Sequence, residues 1–599
     1  MDAEESAPIW DKTETEDLEV DMYTFRDLQK ACKKSVGGTE IRLAILGNCA
    51  TQFFAEAVEG YGKLSDLNLN VFDADYNQID ELLLDPSSEV YKFEPDEILL
   101  WLCTEKLYEE FLDQESARRR DFADTYMQKI EHYWDLIGRN SKARIMQMNF
   151  PEIDDKALGQ YSCKMDSTFI FQIRKLNYLL QEFATKNSRV YPVDALAVQT
   201  DLGRDVFFSA PLYYNAKMPV AMNALPDLAK AVADVLLSMA GRIKKCVILD
   251  LDNTLWGGVI GDDGVDNIVL GPEEPEGQVY SEFQNYLKAH KQLGILLNIN
   301  SKNDYDNAIS GLHHPDSVFS EDDIICIKAN WNPKNQNFAE IASELNLLPE
   351  SLVFVDDNPA ERHIVRESLK GVSAPDIGQV HEYIQNIDRS GYFEVTALSG
   401  DDLKRNEMYK ENIKRTKQMA SFENYKDYLL SLEMKGAIKP FEPIYMARIA
   451  QLSNKSNQFN LTTRRYTQAE IEELSANPEY ITLYGKLMDK FGDNGVVSVV
   501  IGHIEGQECR IDLWLMSCRV LKRDMEYAMM DALVHRCQGC GIETVRGFYY
   551  PTAKNNMVRE FYGLQGFCKV KEDESGNTEW EFRIPQIYEN KNQVISVEE

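Results

Sequence analysis

The feature that most restricts how this chain can fold is the place where an apolar run stops. Val247, Ile248 and Leu249 form a continuous apolar stretch that ends abruptly at two carboxylates, Asp250 and Asp252. Such a run reads as a strand buried on both faces, as in a parallel sheet. The aspartates then stand at its carboxyl end, the edge of an open α/β sheet where ligands bind. Alternation along an extended chain puts both on the same side. Two carboxylates so placed repel, so either one keeps a proton or a cation lies between them. Taken alone, the same pattern is equally a strand end followed by an Asx turn.

At 599 residues the chain is too long for one core, and three or four domains are expected. The formal charge of −34 works against nucleic acid and anionic membrane as partners. No apolar run approaches the length needed to span a bilayer, and the acidic start lacks a signal-peptide pattern. The 11 cysteines have no framework spacing, which fits reduced thiols in a cytoplasmic protein. Cys537 and Cys540 form one C-x-x-C beside His535. No second pair follows, so they read as ordinary helix-end cysteines rather than a zinc site.

Residues 1–22 are acidic and read as a loose tail. Residues 23–238 alternate strand and helix, with strands expected at 41–46, 69–72, 97–103, 143–148 and 190–192. This predicts a doubly wound α/β domain. Its first strand leads into Gly47-Asn48-Cys49 and resembles the opening of an SGNH-type hydrolase domain, where Gly-Asp-Ser presents the nucleophile. Here Asn and Cys replace Asp and Ser, and a nucleophile needs a base. The only histidine between residues 23 and 235 is His132, within a helical pattern rich in Tyr and Leu, and the counterpart segment at Asp205 carries none. The expectation is a non-catalytic binding or docking module, with Cys49 a packed thiol.

Residues 239–398 alternate again, with strands expected at 246–249, 294–298, 324–327 and 351–355. A polar feature follows each: Asp250 and Asp252, then Ser301, then Lys334, then Asp356 and Asp357. Residues 399–424 read as a solvated, charged linker helix. Residues 425–588 mix strands at 480–489, 495–503, 510–516 and 544–550 with helices at 525–536 and 556–564, and residues 589–599 read as a polar tail.

Singly, Ser301 is a plausible helix cap, Lys334 a surface charge and Asp356-Asp357-Asn358-Pro359 a turn. Together, in this order and at these strand ends, they resemble the haloacid dehalogenase superfamily. A phosphoryl group meeting several carboxylates requires a divalent cation, and hard oxygen ligands suit Mg2+. The resemblance implies that Asp250 attacks phosphorus and that Asp252 moves the proton. It implies that Ser301 and Lys334 hold the phosphate, and that Asp250, Asp252, Asp356 and Asp357 surround the metal. The stretch after Thr254 leaves room for a small hairpin flap, not a large cap.

Four segments narrow the likeness: 246–258 with its Asp-Leu-Asp-Asn-Thr-Leu-Trp-Gly-Gly; Ser301-Lys-Asn; Asp356-Asp-Asn-Pro-Ala-Glu-Arg; and Lys455-Ser-Asn-Gln-Phe-Asn-Leu-Thr-Thr-Arg-Arg. They resemble the FkbH-like family. The resemblance covers nearly the whole chain and implies a multidomain α/β protein: an SGNH-like doubly wound domain, a phosphatase-like core with minimal cap, and a GNAT-like α+β domain. It implies an enzyme that removes phosphate from a small phosphorylated acyl substrate and loads the acyl unit onto the phosphopantetheine thiol of an acyl carrier protein. A plain phosphatase and a carrier-binding scaffold are the alternatives. Cys246 and Cys518 are the candidate acyl-bearing thiols; Cys246 lies roughly 13 Å from Asp250 along an extended strand. The GNAT pyrophosphate loop of Arg/Gln-x-x-Gly-x-Gly/Ala type reads here Arg519-Val-Leu-Lys-Arg-Asp524, with Lys522 and Asp524 at the glycine positions. Free coenzyme A is therefore not expected there, whereas Arg519, Lys522 and Arg523 are candidates to meet a carrier's phosphate. Lys554-Asn555 and Tyr562 resemble the later acyltransferase segment, where a Tyr protonates a leaving thiolate.

Overall fold

The computed structural model describes residues 23–37, 40–153, 158–456, 458–552 and 554–598. The tail expected at 1–22 lies outside the described residues. The first sheet consists of β1 (Glu40–Gly47), β2 (Asn68–Asp73), β3 (Glu97–Trp101), β4 (Arg144–Met148) and β5 (Val190–Val193). Their order is β2-β1-β3-β4-β5 and every pair is parallel. Both faces are covered, which is why the strands read as continuous apolar runs. Leu43 and Ile45 pack on the helices Gln52–Leu64 and Leu225–Met239, while Ala44 and Leu46 face Phe122–Asn140 and Phe169–Ala184.

The second sheet is β6 (Cys246–Leu249), β7 (Leu296–Ser301), β8 (Ile327–Ala329) and β9 (Leu352–Val355), ordered β8-β7-β6-β9 and again parallel throughout. Leu249 pairs with Ile299 on one side and Val355 on the other, so the residues after β6, β7 and β9 emerge at one rim. Two boundaries differ from the sequence pattern. β7 continues to Ser301, making Ser301 the last strand residue rather than one beyond it. β8 starts at Ile327 because a capping box from Ser320 folds Glu321–Asp323 into a tight turn first.

The third sheet has β10 (Lys435–Lys439), β11 (Tyr480–Asp489), β12 (Gly492–Glu505), β13 (Glu508–Met516), β14 (Thr544–Tyr549), β15 (Cys568–Glu572), β16 (Thr578–Arg583) and β17 (Ser596–Glu598). Their order is β15-β16-β14-β13-β12-β11-β10-β17. The pairs β13–β14 and β10–β17 are parallel and the others antiparallel. The helix Met525–Gly539 packs on one face through Met525, Met529 and Leu533, and Pro443–Lys455 on the other through Ile449 and Leu452.

Two expectations are corrected here. The residues read as a polar tail include β17, which pairs with β10. The residues read as a solvated linker include the helix Arg405–Met419, whose Arg415 is 1% exposed. Its guanidinium donates to both oxygens of Asp489 at 2.8 and 2.7 Å, so the charge is buried as an ion pair rather than hydrated. Lys244–Phe393 forms one compact unit; Tyr23–Ile243 and Glu394–Glu599 together form the other. Within that second unit Ser238 Oγ donates to the Glu394 carbonyl at 2.9 Å, and Arg242 reaches the Ser65 and Asp66 carbonyls at 2.8 Å. No helix among the described residues is long and apolar enough to cross a membrane.

Candidate active site

Within the Lys244–Phe393 unit, Asp250 leaves β6 still tied to the sheet, its N–H donating to Val355 at 2.9 Å. The chain then reverses at Asn253, which takes φ +54, and Tyr383 Oη donates to the Asn253 carbonyl at 2.8 Å. The expected flap is a single antiparallel bridge between Gly257 and Val269 plus a helical turn at Ile260–Asp263.

Lys334 opens the helix Lys334–Glu344 and is 4% exposed. Its Nζ lies 2.8 Å from Asp250 Oδ2 and 2.6 Å from Asp356 Oδ2. Burial pulls the lysine pKa down, but the two carboxylates outweigh it and the net direction is up, so the ammonium is retained. Burial, reinforced by Asp250 and opposed by Lys334, pushes Asp356 up to about 6. Burial and the Asp250 charge raise Asp357. Asp250, Asp356 and Asp357 each offer one oxygen, all within 4.8 Å of one another. The second oxygen of Asp250, Oδ1, is buried without a hydrogen-bond partner.

Asp252 is also expected among the metal ligands. Its carboxylate is not in that three-residue group. Oδ1 accepts from Trp256 Nε1 at 3.0 Å and from the Ile260 N–H at 3.1 Å, and Oδ2 accepts from Asn303 Nδ2 at 3.1 Å. Burial raises its pKa, and the bonds from Ile260 and Trp256 offset part of that. A carboxyl held by three donors at this rim is suited to moving a proton. Ser301 is buried at the end of β7, on the same rim.

Several supporting residues were not singled out by sequence reasoning. Arg362, 3% exposed, donates to the carbonyls of Asp356 at 2.7 Å and Asp357 at 2.8 Å and fixes that turn. Thr254 Oγ1 accepts the Asp357 N–H at 3.2 Å. Asn300 Nδ2 donates to the Lys334 carbonyl at 2.8 Å and anchors the lysine's helix to β7. The polar run Asn298–Asn303 inside an otherwise apolar strand pattern was the available signal.

The other candidates are scattered. Cys246 is fully buried, receives Asn298 Nδ2 at 3.0 Å, and has its thiol pKa pushed far up by burial. Cys518 is half-buried, 4.0 Å from Tyr409 Oη. Lys522 and Asp524 both adopt left-handed backbone, φ +63 and +60, the conformation glycine would favour. Lys522 is exposed, but Arg523 turns inward, donating to Asp489 at 3.3 Å and Asn412 at 2.7 Å. It is therefore not presented to a phosphate. Tyr562 is fully buried against Gly547, where a Cβ would lie 2.3 Å from its ring, and Asn555 is buried bonding the carbonyls of Asn460 and Tyr550 at 2.9 Å. Both fill structural roles. Cys49 is buried in contact with Cys103, and burial raises its pKa well above that of an ordinary thiol.

The model of the FkbH N-terminal domain matches residues 42–237. No curated protein matches the chain. Among solved structures, the N-terminal part of the protein BF1531 from Bacteroides fragilis, containing a phosphatase domain complexed with Mg, is 34% identical. It has a TM-score of 0.60, with 63% of this chain and 100% of that one covered. The ribosomal-protein-S18-alanine N-acetyltransferase from Escherichia coli is 12% identical over 26% of this chain and 99% of that one, TM-score 0.20. Ard1 from Thermoplasma volcanium is 22% identical over 25% and 99%, TM-score 0.21. At those scores the last two say nothing about activity. The likeness to BF1531 extends over that protein's whole solved length. The chain belongs to the FkbH-like family.

Proposed function

We propose that this chain is a Mg2+-dependent phosphatase-type enzyme that dephosphorylates an activated, phosphoglycerate-like substrate and transfers the acyl unit to an acyl carrier protein. The observation that carries the phosphatase half is Asp250: one oxygen paired with Lys334, the other buried and unpartnered. A buried carboxylate oxygen left this way is costly unless something electropositive meets it. Asp250, Asp356 and Asp357 form an all-oxygen donor set of the kind Mg2+ takes, and these residues would hold it. When bound, the ion shields the carboxylates from the charge of an incoming phosphoryl group.

Asp250 attacks phosphorus, and the bond to the leaving oxygen breaks as Asp252 gives that oxygen a proton. Asp252 then takes a proton from water, which attacks the aspartyl phosphate, releasing inorganic phosphate and restoring Asp250. Lys334 neutralises charge developing on the phosphoryl oxygens, and Ser301 donates to one of them. In the acyl step a thiolate attacks the carbonyl carbon of an acyl phosphate; the C–S bond forms as the C–O bond to phosphate breaks. Cys518, half-buried, is favoured over the enclosed Cys246 as an intermediate acceptor, and Lys522 remains exposed for a carrier's phosphate. The domain of the first sheet serves binding or docking rather than catalysis.

The test is phosphate release from a bisphosphorylated glycerate, with and without a holo carrier protein. Release accompanied by acylated carrier supports the proposal. Release without acylation leaves a plain phosphatase, and no turnover of any phosphate ester leaves a carrier-binding scaffold. Asp250→Asn should abolish release, and retained turnover would overturn the assignment of the nucleophile.

A further inference from the structure

A second charged cluster, in the Glu394–Glu599 part of the other unit, plays no part in the phosphatase site. Arg448 Nε lies 3.0 Å from Asp401 Oδ2, and Arg519 Nη2 lies 4.0 Å from the same oxygen. All three atoms are buried, and none makes a hydrogen bond of acceptable geometry. The Arg519 side chain is 6% exposed. The neighbouring Asp402 is already taken by Arg405, Lys455, Ser399 and Gln451. Burial, with Arg519 close by, pushes the Arg448 guanidinium down to about 10, and Asp401 and Asp402 offset part of that.

Cys518 borders this cluster. Its Sγ is 4.0 Å from the hydroxyl of Tyr409, which also feels the charges of Arg519 and Arg405. Asp401 reaches its place only because residue 495 is glycine: φ is +67, and a Cβ there would lie 2.5 Å from Asp401 Oδ2. The internal carboxylate therefore stands between two guanidiniums without a proper hydrogen bond to either. A ligand oxyanion free to orient itself would satisfy both, because guanidinium forks match carboxylate and phosphate geometry.

We propose that Arg448 and Arg519 form a binding site for the oxyanion of a small acid, a phosphate ester or a carboxylate, held beside the Cys518 thiol and displacing Asp401. Its use in acyl transfer rests on the reading of Cys518 given above; the site itself rests on the geometry.

Alkylation of the full chain with iodoacetate, an anion, and iodoacetamide, its neutral counterpart, tests this, with each cysteine read by peptide mass spectrometry. The ratio of anionic to neutral rates at Cys518 is expected to exceed that at the exposed Cys540 by about tenfold. Inorganic phosphate and a phosphoglycerate are run as competitors. Protection by phosphoglycerate alone identifies the substrate's phosphate as the ligand, and protection by both identifies phosphate generally. Arg519→Gln should bring the ratio down to that of Cys540. Because a buried guanidinium also supports the fold, Asp401→Asn is the second variant: it keeps both cations, removes the internal competitor and raises the ratio. A wild-type ratio equal to that of Cys540, protection by neither competitor, or no rise in Asp401→Asn overturns the proposal. A high ratio with Cys518 unacylated after substrate exposure retains the anion site and removes only the acyl role.

Discussion

The indole N–H of Trp256 donates to Asp252 Oδ1 at 3.0 Å, four residues further along the same turn. Trp256 is fully buried, and its ring is so tightly seated that a Cβ on Gly311 would lie 2.6 Å from it. The carboxyl proposed to move the proton is thus aimed by a core side chain. Trp256→Phe keeps an aromatic ring and removes the donor. It should lower kcat for phosphate release about 10- to 100-fold while KM changes less than about threefold. Gly311→Ala should act in the same direction by displacing the ring. Steady-state kinetics of both variants decides it; kcat within about twofold of wild type would leave Trp256 a packing residue only.

Metal dependence should be visible without turnover. Adding Mg2+ to the chain is expected to stabilise the Lys244–Phe393 unit, by about 2.7 kcal/mol when the ion is at 100 times its Kd, and so to raise its unfolding temperature. Asp357→Asn removes one of the three carboxylates and should weaken that dependence about tenfold in Mg2+ concentration. Differential scanning calorimetry across a Mg2+ series measures both. An unchanged series in Asp357→Asn would remove that residue from the metal shell.

Asp489 has a side chain with no exposed surface, and it binds Arg415 at 2.7 and 2.8 Å and Arg523 at 3.3 Å. Asp489→Asn would leave two buried guanidiniums without their shared counter-charge. The expected loss is about 3–5 kcal/mol, because breaking a buried pair from one side costs more than never having had it. Hydrogen exchange of β11 and the helix Arg405–Met419 should show the loosening, and protection equal to wild type would argue against it.

Burial pushes Glu105 up from 4.5 to about 7, with its own backbone N–H and the Cys103 thiol opposing part of the shift. The folded chain therefore holds a proton that the unfolded chain releases. Stability from this group is fully present below pH 4.5 and is lost as pH rises through about 7, at most about 3 kcal/mol in all. Glu105→Gln, permanently neutral, should flatten that part of the curve. Unfolding midpoints between pH 5 and 8, wild type against variant, check the sign.

The rim itself was legible before any coordinates. Val247 to Leu249, and the apolar runs of β7 and β9, could bury themselves only as neighbouring parallel strands. Whatever followed each run had to come out at the same edge, so Asp250, Ser301, Asp356 and Asp357 were readable as a group. The edge strand β15, with a Cys-Lys-Val-Lys alternation only four residues long and exposed along its whole length, was missed.

What the sequence determined alone was which residues reach that edge, because apolar burial and strand period are local properties written residue by residue. Which way their side chains turn was decided by the tertiary structure. The Asp252 carboxyl is held by donors from Trp256, Ile260 and Asn303. Arg415 and Arg523 went inside because Asp489, distant in sequence, was there to meet them. A charge looks the same in a sequence whether water or a buried partner satisfies it, and only the folded arrangement distinguishes the two.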